Sequence, residues 1–130
     1  MKNYLFFQDN LKTIIRHVVK QDVAKDKLMI IPPPPVFVNM CNNAAWCVHR
    51  SLKQTKHYYD AAVDAAKEEE VLFLEHWDEL NDQKMFMDGI HFSRNGSDTL
   101  FSILWQRVKF KVQDLKPLVP AFSDFEKKAA

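Results

Sequence analysis

Neither sign of charge dominates this sequence: eighteen Lys and Arg stand against seventeen Asp and Glu, a formal net charge of +1. That balance gives no footing to a nucleic-acid partner or an anionic membrane surface. Fully charged runs such as Lys67-Glu68-Glu69-Glu70 and Glu126-Lys127-Lys128 read as a solvated helix end and a tail. Long hydrophobic runs are missing too, since no apolar stretch approaches the ~18 to 20 residues of a membrane span. The opening Met1-Lys2-Asn3-Tyr4 leads into no signal-peptide pattern, so a cytoplasmic location is the expectation. Cysteine is limited to Cys41 and Cys47, without C-x-x-C spacing or a second pair, which excludes the usual zinc and redox motifs. In such a compartment both are expected as free thiols. Glycine is scarcer than usual, and Gly89 and Gly96 are the two in the chain. Both fall between Met85 and Gly96, which marks that segment as a loop.

What is present suits one folded domain over residues 1–130, with 47% hydrophobic and 27% charged residues. Phe7, Leu11, Ile14, Ile15, Val18 and Val19 recur at helical spacing and predict a first helix over 6–19. Leu28-Met29-Ile30-Ile31 is a short continuous apolar run, read as a strand buried on both faces. Pro32-Pro33-Pro34-Pro35 ends it, because prolines donate nothing to a sheet. A long helix is expected over 49–69, carrying Leu52, Tyr59, Ala62, Val63 and Ala66, then a second buried strand at Val71-Leu72-Phe73-Leu74. Strand, helix, strand implies parallel pairing with a right-handed crossover. A short helix is expected over 75–82. Ser97-Asp98 offers an N-cap to a last helix carrying Leu100, Phe101, Leu104, Val108 and Val112, ended by Pro117 and Pro120.

In Met87-Asp88-Gly89-Ile90-His91-Phe92-Ser93-Arg94-Asn95-Gly96 an acid and a histidine sit three apart around a glycine that permits a tight bend. A histidine oriented by a carboxylate acts as general base toward a hydroxyl and then protonates the leaving alcohol. D-x-x-H taken alone fits structural roles as well. His17, His49, His57 and His76 are scattered, and neither they nor Glu75-His76 with Asp78 have the spacing of a metal site. Trp46, Trp77 and Trp105 are expected as packing residues.

The block D-G-I-H-F-S-x-x-G resembles the last motif of the SGNH (GDSL-type) hydrolases. Within them the chain is most similar to the isoamyl acetate-hydrolysing esterase family. The matching residues run in order from about Phe7 to Asp124: Ile31 to Pro34, Trp46, Arg50, Leu72 to Leu74, Trp77, Asp88 to Gly96, Leu100 to Ser102, Trp105, and Leu118 to Pro120 with Asp124.

The resemblance implies a flavodoxin-like three-layer α/β/α fold. The chain would hold part of it, with a short parallel sheet (strands about 27–32 and 70–74) and flanking helices. It also implies hydrolysis of small carboxylic esters without metal or organic cofactor. Asp88 and His91 match the catalytic acid and base; Pro32, Pro33 and Pro34 match a stretch near the substrate pocket; Ser93, Asn95 and Gly96 match loop and capping positions.

The family's G-D-S, glycine and G-x-N-D blocks, which carry the nucleophile and oxyanion donors, have no counterpart here. The chain therefore resembles the C-terminal half of such an esterase, a truncated domain expected to be inactive alone and to take an ester once completed by an N-terminal half. None of Ser51, Ser93, Ser97, Ser102 and Ser123 sits on a strand-to-helix elbow that would activate it. The alternative is a non-catalytic module pairing through the open edge of its first strand, as a homo-oligomer or with another chain.

Overall fold

The computed structural model describes residues 3–41 and 50–110. Helix α1 runs Asn3–Lys20, strand β1 Met29–Ile30, helix α2 Leu52–Glu68, strand β2 Leu72–Phe73, the single-turn helix α3 Trp77–Leu80 and helix α4 Arg94–Val108. β1 and β2 pair in parallel, Met29 opposite Leu72 and Ile30 opposite Phe73. The ladder is extended by Leu72 N–H to the Leu28 carbonyl and Leu74 N–H to the Ile30 carbonyl, 3.1 and 2.9 Å. This is the expected α/β arrangement of a short parallel sheet with flanking helices.

The strands differ from expectation in length and cover. The paired part of β1 stops before Ile31, and the prolines that follow carry no N–H to continue it. The first run is not buried on both faces, since Leu28, Met29 and Ile30 are half-buried and Ile31 is 48% exposed, whereas Val71 and Leu74 on either side of β2 are buried. Successive side chains alternate across a strand. Leu28 and Ile30 face the cluster of Ile15, Ala66 and Val71, while Ile31 lies on the other, less covered side.

Helices α1 and α2 lie together and point the same way. Near their starts Tyr4 stacks on His57 and Phe7 meets Tyr58 edge-on; near their ends Lys12 pairs with Glu68 and Arg16 with Glu69. Small side chains on α2 allow the approach, since Ala61, Ala62, Ala65 and Ala66 are all buried. α2 begins later than the predicted 49, because Ser51 caps it and its Oγ accepts from Gln54 N–H at 3.0 Å. It ends in a Schellman turn: Val71 N–H reaches the Ala66 carbonyl and Glu70 N–H the Lys67 carbonyl, with Glu70 in the left-handed region at φ 58°.

Trp77 packs with Tyr59 and Val63 in a second cluster, and Trp105 is buried on α4, as expected of these tryptophans. Trp46, Cys47, His49, Val112, Pro117, Pro120, Ser123 and Asp124 lie outside the described residues. The predicted cap at Ser97-Asp98 is not the one used. α4 starts at Arg94 with Ser93 as N-cap, so Gly96 sits in its first turn and not in a loop. A β-carbon on Gly96 would run into the Met85 carbonyl, so this glycine serves close packing of the helix start.

Cys41 also corrects the sequence reading. It is disulfide-bonded and 4% exposed, not a free thiol. Among the described residues no helix is long and apolar enough to cross a membrane.

Candidate active site

The acid and histidine stand on a turn held from below. Phe86 bridges Phe92 in antiparallel fashion, Met87 N–H donates to the His91 carbonyl at 2.9 Å, and Ser93 N–H donates to the Met85 carbonyl at 2.9 Å. The base of this narrow loop is aromatic, with buried Phe86 between Phe92 and Phe37 at ring distances of 5.3 and 5.4 Å. At its tip Gly89 has φ 89°, a conformation that side-chain-bearing residues rarely adopt. The tip is tied to the segment after the prolines, because Phe37 N–H donates to the Gly89 carbonyl at 2.9 Å. A β-carbon on Gly89 would collide with the Phe37 carbonyl and crowd Cys41 Sγ, so the two segments meet backbone to backbone.

This turn brings Asp88 and His91 into direct contact. Asp88 Oδ2 lies 2.6 Å from His91 Nδ1. Asp88 Oδ1 accepts from the backbone N–H groups of His91 and Ile90 at 2.7 and 3.0 Å. These donors hold the Asp88 carboxyl at about 2, below its ordinary 3.8; the His91 backbone N–H is the largest cause, then the His91 ring, then the Ile90 N–H. The carboxylate is therefore ionised at neutral pH. It accepts from Nδ1–H, which leaves Nε2 as the imidazole's other nitrogen, on a side chain that is 63% exposed. Such a pair can take a proton from a hydroxyl and return it to a leaving group.

The proline run divides between two places. Pro33 and Pro34 line a cleft of about 1120 Å³ with Ile31, Val36, Phe7, Tyr58 and Ile90 among its walls. Ile90 belongs to the Asp88–His91 turn, so the cleft adjoins the pair. Pro32 is not on that wall: it is fully buried, and its carbonyl accepts from His76 Nε2 at 2.7 Å. His76 is thus a buried structural partner of the prolines while Glu75 and Asp78 are exposed. Among the described residues no three potential ligands converge on a metal position.

The Ser93 hydroxyl is fully engaged, donating to the Lys84 carbonyl at 2.7 Å and accepting from Gly96 N–H at 3.2 Å. It acts as a helix cap, one of the roles its sequence position suggested. Sequence reasoning missed Phe37, whose backbone positions the turn, and the His76–Pro32 bond. Their only signals were a proline run and a glycine between the acid and the base.

Comparison with known proteins places these features in context. No protein-family profile matches the chain. It is 27% identical over 128 residues to the human isoamyl acetate-hydrolyzing esterase 1 homolog, covering 88% of this chain and 50% of that protein. It is 29% identical over 132 residues to the cattle homolog of the same name, covering 91% and 51%. In structure it is similar to the esterase domain of the ZfL2-1 ORF1 protein from the zebrafish ZfL2-1 retrotransposon. That match has a TM-score of 0.65 and 16% identity, covering 84% of this chain and 65% of that one, and it shows the fold alone. By sequence the chain is similar to isoamyl acetate-hydrolyzing esterase 1 homologs, spanning about half the length of those proteins, and its α/β fold is similar to that of an esterase domain.

Proposed function

We propose that this chain carries the acid–base part of a serine carboxylic-ester hydrolase site, with the nucleophile and oxyanion donors supplied by polypeptide outside these 130 residues. The observation that carries the reading is the 2.6 Å contact between Asp88 Oδ2 and His91 Nδ1 on a turn that adjoins an apolar cleft. Its relatives' names supply the ester class. Both glycines here are accounted for, Gly89 before Ile90 and Gly96 before Ser97, so neither opens a G-D-S block.

In the proposed reaction Asp88 holds the His91 ring with Nδ1–H toward its carboxylate and stabilises the cation formed when Nε2 takes the serine proton. The serine oxygen adds to the ester carbonyl, and the proton on Nε2 then passes to the departing alcohol. Water then adds to the acyl-enzyme carbonyl and gives its proton to Nε2, and that proton passes to the serine oxygen as the acyl–serine bond breaks and the acid departs. Pro33, Pro34 and Ile90 offer an apolar wall for a short acyl or alcohol chain, and no cofactor enters any step. Without the serine and the oxyanion donors the pair has nothing to activate, so the chain alone is inactive. Labelling by a fluorophosphonate probe tests this: no serine of the isolated chain reacts, and a labelled Ser93 would make it a rewired esterase instead.

A second reading is favoured by the open side of β1. Among the described residues β1 pairs with β2 alone, Ile31 is 48% exposed beside it, and Leu5, Phe6 and Ile14 of α1 are also exposed. Such a surface suits pairing of two copies of the chain, edge to edge, as a non-catalytic dimer. Sedimentation showing a cooperatively folding monomer at all concentrations would remove this reading.

A further inference from the structure

Four consecutive prolines present carbonyls but no N–H, so nothing in Pro32 to Pro35 can donate to hold the run in place. Two bonds do so from outside. His76 Nε2 donates to the Pro32 carbonyl at 2.7 Å, joining residues 44 apart in sequence. Just past the run, Phe37 N–H donates to the Gly89 carbonyl of the Asp88–His91 turn.

His76 is an unusual choice for a packing position. It is 1% exposed, the buried polar residue of the described core, and its Nδ1 has no hydrogen-bond partner among the described residues. A buried polar group is costly unless hydrogen-bonded, and an apolar side chain would fill the space without that cost. Among the described residues the one hydrogen bond its ring makes goes to the proline run. Its backbone N–H donates to Tyr59 Oη at 3.2 Å and its ring meets Tyr59 edge-on at 5.2 Å, so α2 fixes the ring from behind. A carbonyl can only accept, so Nε2 carries a proton; a second proton on Nδ1 would leave a buried charge with no acceptor among the described residues, which puts the lone pair on Nδ1.

We propose that His76 is a positioning residue for the ligand cleft: as a neutral, Nε2-protonated imidazole it anchors the Pro32 carbonyl, so that Pro33 and Pro34 hold the wall facing Ile90. The wall is then fixed at one end by His76 and at the other by the catalytic turn itself. This deepens the esterase reading by naming what shapes its cleft, and its test uses no ester turnover.

The test is made on the full chain by NMR, in two parts. Long-range proton–nitrogen correlations on the unmutated protein show His76 protonated at Nε2 and bare at Nδ1; the opposite tautomer overturns the proposal. His76→Gln keeps an N–H donor of similar reach, and His76→Phe keeps the volume without the donor. Amide signals of the cleft residues Val36 and Ile90 shift in His76→Phe and stay close to their original positions in His76→Gln. Equal displacement in both variants, or none in His76→Phe, overturns it, since a residue that merely fills space would not be rescued by a donor. The tautomer measurement stands even where a variant does not fold. A chain that passes both parts yet lacks any esterase role would leave the anchor intact and remove only the activity.

Discussion

Phe37 N–H donates to the Gly89 carbonyl at 2.9 Å, and this single backbone bond joins the proline wall of the cleft to the turn that carries Asp88 and His91. Substitution at Gly89 attacks the junction twice. Gly89→Ala places a side chain at φ 89° and drives its β-carbon into the Phe37 carbonyl. A cost of about 1–3 kcal/mol follows from backbone strain alone. Urea denaturation of the variant is expected to show at least this loss, whereas Met87→Ala, at a 68% exposed position one residue before Asp88, stays within about 0.5 kcal/mol.

The Asp88 carboxyl makes folding stability depend on acidity in a defined window. Its folded value of about 2 lies below the ordinary 3.8, so the unfolded chain binds the proton more readily. The stabilisation is fully present above 3.8 and disappears as pH falls through about 2. Asp88→Asn removes that dependence. Urea midpoints measured across this window are expected to fall less steeply for the variant than for the original chain; parallel curves would contradict the bond pattern around Oδ1 and Oδ2.

Two adjacent isoleucines on α1 should respond very differently to truncation. Ile15 is 1% exposed against Ala66 and Val71, while Ile14 is 58% exposed. Ile15→Ala is expected to cost about 2–5 kcal/mol, the range for large buried aliphatics. Ile14→Ala is expected within about 0.5 kcal/mol of the original. Calorimetry on the two variants checks which face of α1 meets the sheet.

The turn after α2 offers a stabilising change. Glu70 occupies the left-handed position of a Schellman turn, where an L side chain costs roughly 1–2 kcal/mol. Glycine relieves that cost but loses more freedom on folding. Glu70→Gly is expected to raise stability by about 0.5–1 kcal/mol, and a lowered melting temperature would contradict the assignment of that conformation.

The sequence made visible those features whose causes are local. Spacing of apolar residues on α1 and α2, and the runs around Met29–Ile30 and Leu72–Phe73, announce helix and strand because side-chain period is set within a few residues. Asp88 and His91 were legible for the same reason, since three residues and a glycine suffice to bring them together. What stayed hidden depends on distant partners. Gly96 looked like a loop residue because its neighbour in space, the Met85 carbonyl, is not its neighbour in the helix it begins, and that misplaced the cap from Ser93 to Ser97. Pro32 was grouped with Pro33 and Pro34 by family resemblance, and nothing near it in sequence reveals His76, which holds its carbonyl away from the cleft wall. Cys41 was read from its spacing and presumed compartment, and neither carries the geometry that brings it into a disulfide.

The most direct measurement of the central claim combines this chain with the half of an isoamyl acetate-hydrolysing relative that it does not span. Hydrolysis of short-chain p-nitrophenyl esters is followed for the chain alone, the mixture, and the mixture made with His91→Ala. No turnover by the chain alone and turnover by the mixture are expected, with fluorophosphonate labelling of a serine in the added half. His91→Ala is expected to lower the turnover of the mixture about a hundred- to ten-thousand-fold, the range for removal of a general base. Turnover by the isolated chain, or restored activity that survives His91→Ala, would contradict the claim.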